Sequence, residues 1–205
     1  MSYSQIKEIL GVGKSTLSPW LRDYPLSKER IRELRDYSAQ RIERFRQTMR
    51  EKRNTRIAEV YRTQKKAITP LSKQGLLIAG LMLYWGEGTK SGTSALILAN
   101  TDPNMVRFFI HWMNQSLNIA KNKLRIRLHL YKDMDIKKEL AYWSQELKIP
   151  SSQFSPSYIK KTSSKRINHK GGFGHGTCNI GLNSVPLKEK VMMSIKAIAD
   201  TYTIR

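Results

Sequence analysis

The stretch Ser72–Gly92, SKQGLLIAGLMLYWGEGTKSG, decides how the chain is to be read. From Gln74 to Gly86 it contains no charged residue. It is shorter than the roughly 18–20 apolar residues that a membrane span requires. The composition predicts an apolar helix over about 72–86 instead. Ser72 serves as N-cap, and Leu71 is placed to staple onto Leu76. Gly75, Ala79 and Gly86 share one face at roughly helical spacing, interrupted by Met82 or Leu83. Small residues in such a stripe let a second helix approach closely. Directly after the apolar run stands an acid, Glu87, between two glycines. A carboxylate at the end of a buried helix is costly without a partner, and a metal ion would provide one. The plainer reading of Glu87 is a surface-turn acid that binds no metal.

Downstream, the texture is that of alternating helices and strands. SALILANT (94–101) reads as a strand, and Asp102-Pro103 as an N-cap followed by proline at the first helical position. The helix PNMVRFFIHWMNQSL follows. LRIRLHLY (124–131) gives the cleanest alternation in the chain. Leu124, Ile126, Leu128 and Leu130 point one way, and Arg125, Arg127, His129 and Tyr131 the other. A helix IKKELAYWSQEL stops before Pro150, a basic loop follows, and a strand GTCNIGL precedes a last helix at about 185–200.

That basic loop belongs to residues 148–188, which hold no Asp or Glu. They carry Lys160, Lys161, Lys165, Arg166 and Lys170 near Tyr158. Such a segment suits contact with phosphates, which positions a protein without reading sequence; the alternative is a solvated loop. GGFGHG (171–176) has the wrong glycine spacing for a dinucleotide fingerprint. His169, His175 and Cys178 are close in sequence but form only a weak zinc pattern, and Cys178 reads as a core strand residue.

Taken together, GLMLYWGEG (80–88), with Glu87 at the acidic position, and ILANTDPNMVRFFIHWM (97–113) resemble the LAGLIDADG family of homing endonucleases and their non-catalytic relatives. The resemblance spans about two thirds of the chain, residues 71–200. It implies that two copies of the apolar helix pack together and that their terminal acids hold a divalent metal. It also implies a saddle-shaped sheet lying in the major groove of DNA. Glu87 would then be the catalytic metal ligand, with Mg²⁺ as the expected ion. One motif per chain requires a homodimer through the 72–86 helix. Arg125, Arg127, His129 and Tyr131 would face the groove. The chain departs from the family pattern at Tyr84-Trp85 and in the extra helix over 136–148, and no supporting basic residue can be placed.

Upstream, PLSK occurs at Pro25–Lys28 and again at Pro70–Lys73, marking two helix starts with Ser27 and Ser72 as caps. Residues 27–66 between them lack Gly and Pro and hold 14 Lys/Arg against 6 Asp/Glu. This predicts a long basic connecting helix, whole or in two pieces, reaching about 60 Å if unbroken. It lies on DNA or on a partner, or serves as a solvated spacer.

At the N-terminus, YSQIKEILGVGKSTLSPWL contains GKST, which ends a nucleotide-binding P-loop. That motif needs a glycine five positions before Gly13, where Glu8 stands, and a preceding strand. The arrangement fits a helix-turn-helix better. Ile6, Ile9 and Leu10 form one inward face, and Leu17, Trp20 and Leu21 the other. Gly11-Val12-Gly13 makes the turn, and Lys14, Ser15 and Thr16 open the recognition helix, with Arg22 further along. Pro19 shortens or kinks that helix.

Charge supports this reading. The chain carries 37 Lys/Arg against 16 Asp/Glu, a net +21, with a pI near 10.2. Residues 1–70 hold 17 basic against 8 acidic residues and 71–205 hold 20 against 8, so the excess is not confined to a tail. A polyanion is the expected partner. A single cysteine excludes an internal disulfide framework and fits a reducing compartment. No secretory pattern opens the chain, so the expected location is cytoplasmic, with the nucleoid.

The sequence therefore predicts an α+β protein. It has a helix-turn-helix at 1–25, a basic helical connector at 26–69, and a LAGLIDADG-like domain at 70–205 with a mainly antiparallel sheet packed by helices. The expected function is sequence-specific binding of double-stranded DNA by a homodimeric Mg²⁺-dependent endonuclease, with neither membrane nor nucleotide as partner. The alternatives are a transcriptional regulator that keeps the fold without the chemistry and, third, an RNA-binding or maturase-like role.

Overall fold

A computed structural model describes residues 1–36, 38–92, 94–163 and 174–202. The chain divides into two compact units, Met1–Thr69 and Pro70–Arg205.

The first unit is entirely helical. Helix α1 (Tyr3–Leu10) is closed by a capping box between Ser2 and Gln5, and it ends at Gly11 in the left-handed conformation, φ 67°. Glycine takes up that backbone more readily than any other residue. Helix α2 (Lys14–Trp20) has seven residues and contains Pro19 near its end, as the sequence predicts. The expected inward face is only partly formed. Leu17 is the one buried side chain among the described residues of this unit, while Ile9, Leu10 and Trp20 are 66%, 62% and 64% exposed. Two short helices offer too little surface to bury all six apolar residues at once.

Helices α3 (Lys28–Asp36) and α4 (Ser38–Ile68) make up the connector in two pieces. Ser27 caps α3 by accepting from the Arg30 amide at 3.1 Å. The 31 residues of α4 span about 46 Å, and every side chain from Arg41 to Ile68 is exposed.

The second unit opens with α5 (Lys73–Glu87), capped by Ser72. Then follow β1 (Ala95–Asn100), α6 (Pro103–Leu117), β2 (Arg125–Tyr131), α7 (Ile136–Leu147), β3 (Phe154–Lys160), β4 (Thr177–Asn183) and α8 (Val185–Tyr202). Asp102 caps α6 with Pro103 in the first turn, as its sequence predicts.

The sheet is mixed, in the order β1-β4-β2-β3. β4 runs antiparallel to both β1 and β2, whereas β3 runs parallel to β2. β3 (Phe154–Lys160) is a strand where the sequence predicts a basic loop. The cause of its direction is α7, which carries the chain back across the sheet, because parallel neighbours need a crossover. A bulge between Arg127 and His129 adjusts the β2–β3 register.

The core lies on one side of the sheet. Leu96, Leu98, Ile126, Leu128, Leu130, Cys178 and Ile180 meet side chains from α5, α6, α7 and α8 there. Helices α5 and α6 approach so closely that a Cβ at Gly80 would lie 2.0 Å from the Trp112 ring. The Trp112 indole donates to the Leu77 carbonyl at 3.2 Å. No described helix is long and apolar enough to cross a membrane.

Candidate nucleic-acid interface and carboxylate site

Alternation along the strands leaves the other side of the sheet open. β2 places Arg125, Arg127, His129 and Tyr131 on it, β4 places Asn179 and Asn183, and β1 places Ile97. The register sets Arg125 opposite Gly181 and Arg127 opposite Asn179. From β3, Tyr158 lies with its ring 5.1 Å from that of His129, and the Lys160 ammonium stands 4.7 Å over the Tyr131 ring. Tyr131 is thereby buried, with 7% exposure, and serves as a platform for Lys160 more than as a contact of its own. No strand contributes an Asp or Glu to this face. His129 titrates below the ordinary imidazole value, first because it is partly buried and then because Lys160 and Arg127 stand close. It is therefore neutral at pH 7.

The structure thus brings together Arg125, Arg127, His129 and Lys160 from the expected DNA-contacting set. Lys160 is a strand residue and not part of a loop. Lys161 follows it, exposed. Lys165, Arg166 and Lys170 lie outside the described residues. In the first unit, Lys14, Ser15 and Thr16 form the first turn of α2 and are exposed, as is Arg22 just beyond its end.

Glu87 is the last residue of α5. It is exposed, which corrects the expectation of a buried helix end. The helix buries only the side that carries Gly80, Leu81 and Tyr84, and Glu87 lies beyond that packing. Its carboxylate accepts from the Asn100 side-chain amide at 3.3 Å. The Asn100 Oδ1 accepts in turn from the Asp102 main-chain amide at 2.8 Å. Asn100 therefore ties Glu87 to the turn that opens α6.

Beneath the same glycine turn lies a cation that sequence reasoning did not single out. Lys188, from α8, is 3% exposed. Its ammonium donates to the Tyr84 hydroxyl at 2.7 Å and to the Thr89 carbonyl. The same carbonyl accepts from the Tyr84 hydroxyl at 2.6 Å. Buried lysines are rare without such partners.

At the end of α5, Glu87 presents an exposed carboxylate. Among the described residues no three His, Cys, Asp or Glu side chains converge on a possible metal position. That donor set does not enclose the ion alone. Mg²⁺ favours one or two carboxylates completed by phosphate oxygens and water, so Glu87 by itself would supply only part of that coordination. Of the weak zinc pattern, the two described members are otherwise engaged. Cys178 is buried and its thiol is pushed up to about 12 by burial, His175 is engaged by Glu139 at 2.7 Å, and His169 lies outside the described residues.

No protein-family model, curated protein or solved structure matches this chain.

Proposed function

We propose that the chain binds double-stranded DNA as a homodimer and cleaves it as a Mg²⁺-dependent, homing-type endonuclease. The observation that carries DNA binding is the open sheet face, which holds three basic side chains and no acid among its strands. Guanidinium and amide groups standing on a strand suit hydrogen bonding to base edges in a major groove. The exposed first turn of α2 supports a second contact with the duplex.

The dimer reading rests on α5. Away from its buried side stand Gly75, Ala79 and Gly86, flanked by Ile78 and Trp85 at 42% and 43% exposure. An apolar face of this kind, free of charge from Gln74 to Gly86, favours a matching helix. Parallel pairing there would bring two Glu87 carboxylates to one end of the interface, because each closes its helix. Mg²⁺, when bound, supplies an activated water and stabilises the leaving oxygen. This chain's part is to present the carboxylate, steadied by Asn100.

A second reading, a transcriptional regulator on the same fold, is favoured because no three possible metal ligands converge among the described residues. Cleavage of a plasmid library with Mg²⁺ or Mn²⁺, comparing wild type with Glu87→Gln, separates the two. Cleavage by wild type alone supports the nuclease. Absence of metal-dependent cleavage on every target leaves the regulator, and equal cleavage by both proteins removes Glu87 from the chemistry.

A further inference from the structure

Most of a helix's stability in a folded protein comes from packing one face against something, yet every side chain of α4 from Arg41 to Ile68 is exposed. Its large apolar side chains are not scattered. Ile42, Phe45, Met49, Ile57 and Val60 are 47–65% exposed, and their spacing places all five within about a third of the helix circumference. The same arc holds Arg46, Arg53 and Arg56. The three acids of α4, Glu43, Glu51 and Glu59, fall outside it, against ten Lys/Arg in the helix as a whole. Glu43 reaches Arg46 at 3.7 Å, whereas Arg53 and Arg56 make no ion pair among the described residues.

This arrangement discriminates between occupants. Arg53 stands midway along Ser38–Ile68, so a second copy laid in register, parallel or antiparallel, sets Arg53 against Arg53. A charged residue within an apolar seam decides which partner the seam accepts, and like charges placed opposite each other reject a copy of the same chain. A DNA duplex would satisfy the arginines through its phosphates but would leave the apolar side chains between them in water. A helix with apolar residues at matching spacing and carboxylates beside them satisfies both. Arginine is also the cation best suited to carboxylates at an interface, through its paired N–H groups.

We propose that α4 is the docking surface for an acidic amphipathic helix of a different protein, seated on Ile42 to Val60 with its carboxylates on Arg53 and Arg56. The inference goes beyond DNA binding and cleavage and depends on neither. It gives the connector a partner of its own, recognised by anchors one helical turn apart.

The test uses the full chain and a synthetic helix of the length of α4, with leucine at its a and d positions and glutamate flanking them. Two control peptides carry the same residues in scrambled order, or glutamine for every glutamate. The acidic amphipathic peptide should bind at least about tenfold tighter than either control. Phe45→Ser and Arg53→Glu should each weaken it by about tenfold or more. Both side chains are exposed, so circular dichroism should show both variants folded. Equal binding of the scrambled peptide would mean attraction by charge alone and overturns the proposal, as does failure of the acidic peptide to bind. Displacement of the peptide by a DNA duplex would assign α4 to nucleic acid, also overturning it. Self-association of the free chain that Phe45→Ser abolishes would give the seam to a second copy, with the same consequence. None of these outcomes alters the result of the Glu87→Gln cleavage comparison, so the two readings fail separately.

Discussion

The Lys188 ammonium stands 2.7 Å from the Tyr84 hydroxyl, across 104 residues of sequence, and both groups converge on the carbonyl of Thr89. This three-way junction holds the end of α5 to the start of α8. It fixes the turn that follows Glu87 from below, while Asn100 fixes Glu87 from the side.

Removing one member of the junction should be costlier than its hydrogen-bond count suggests. Tyr84→Phe leaves a buried cation with one acceptor fewer and should destabilise the fold by about 1–3 kcal/mol. Lys188→Met removes the charge while Tyr84 still serves Thr89, and should change stability by less than Tyr84→Phe does. Urea denaturation of both variants tests the ordering. A larger loss for Lys188→Met would mean that the ammonium stabilises the turn beyond these bonds.

Gly80→Ala should be among the more damaging single-methyl changes in the second unit. The added carbon would stand 2.0 Å from the Trp112 ring, and the two helices must part to admit it. Overpacking of this kind costs about 1–3 kcal/mol, read as a lower melting temperature by circular dichroism. Gly86→Ala, whose Cβ meets nothing within 4 Å, should leave the isolated chain's melting temperature nearly unchanged.

DNA affinity should rise as pH falls, through His129. Burial, Lys160 and Arg127 hold its imidazole below the ordinary value, so the free protein carries it neutral at pH 7. A phosphate nearby would favour the charged ring, so binding takes up a proton and tightens on acidification. The sign for folding is opposite. A depressed folded value means that the unfolded chain binds the proton more readily. The His129 contribution is therefore complete above about pH 6.5 and declines as pH falls below it. Binding measured from pH 8 to pH 5.5 should lose this dependence in His129→Gln.

Arg125→Gln and Arg127→Gln should each weaken DNA binding. A variant that loses a phosphate contact should reduce the slope of log K against log salt by about one, whereas loss of a base contact should relax base preference instead. Salt titrations with a single duplex, followed by selection from a random library, distinguish the two roles. A variant that changes neither quantity does not touch DNA.

Much of this architecture is visible in the sequence because it rests on local periodicity. The alternation from Arg125 to Tyr131, the Asp102-Pro103 helix start and the serine before Lys73 each fix an element within a few residues. β3 is hidden because Ser155, Pro156 and Ser157 give it no clean alternation, and a strand at the edge of a sheet needs none. The mixed topology follows from where α7 carries the chain, which no local pattern records. In the candidate site, Glu87 stands out by its glycine neighbours. Asn100 and Lys188 do not, since their roles depend on contacts formed only after folding. Trp20 misleads for a related reason: helical spacing shows which residues share a side, not whether anything arrives to cover it.

Ala79 and Gly80 are adjacent along the chain but answer to different constraints. Gly80 is held by Trp112 inside the same molecule, so its tolerance to change is set by the fold. Ala79 lies on the side of α5 away from Trp112 and is half-buried among the described residues, so on the dimer reading changes there are judged mainly when another molecule arrives. Drift across this helix should therefore be two-sided, with one side keeping time with the interior of the chain and the other with its company.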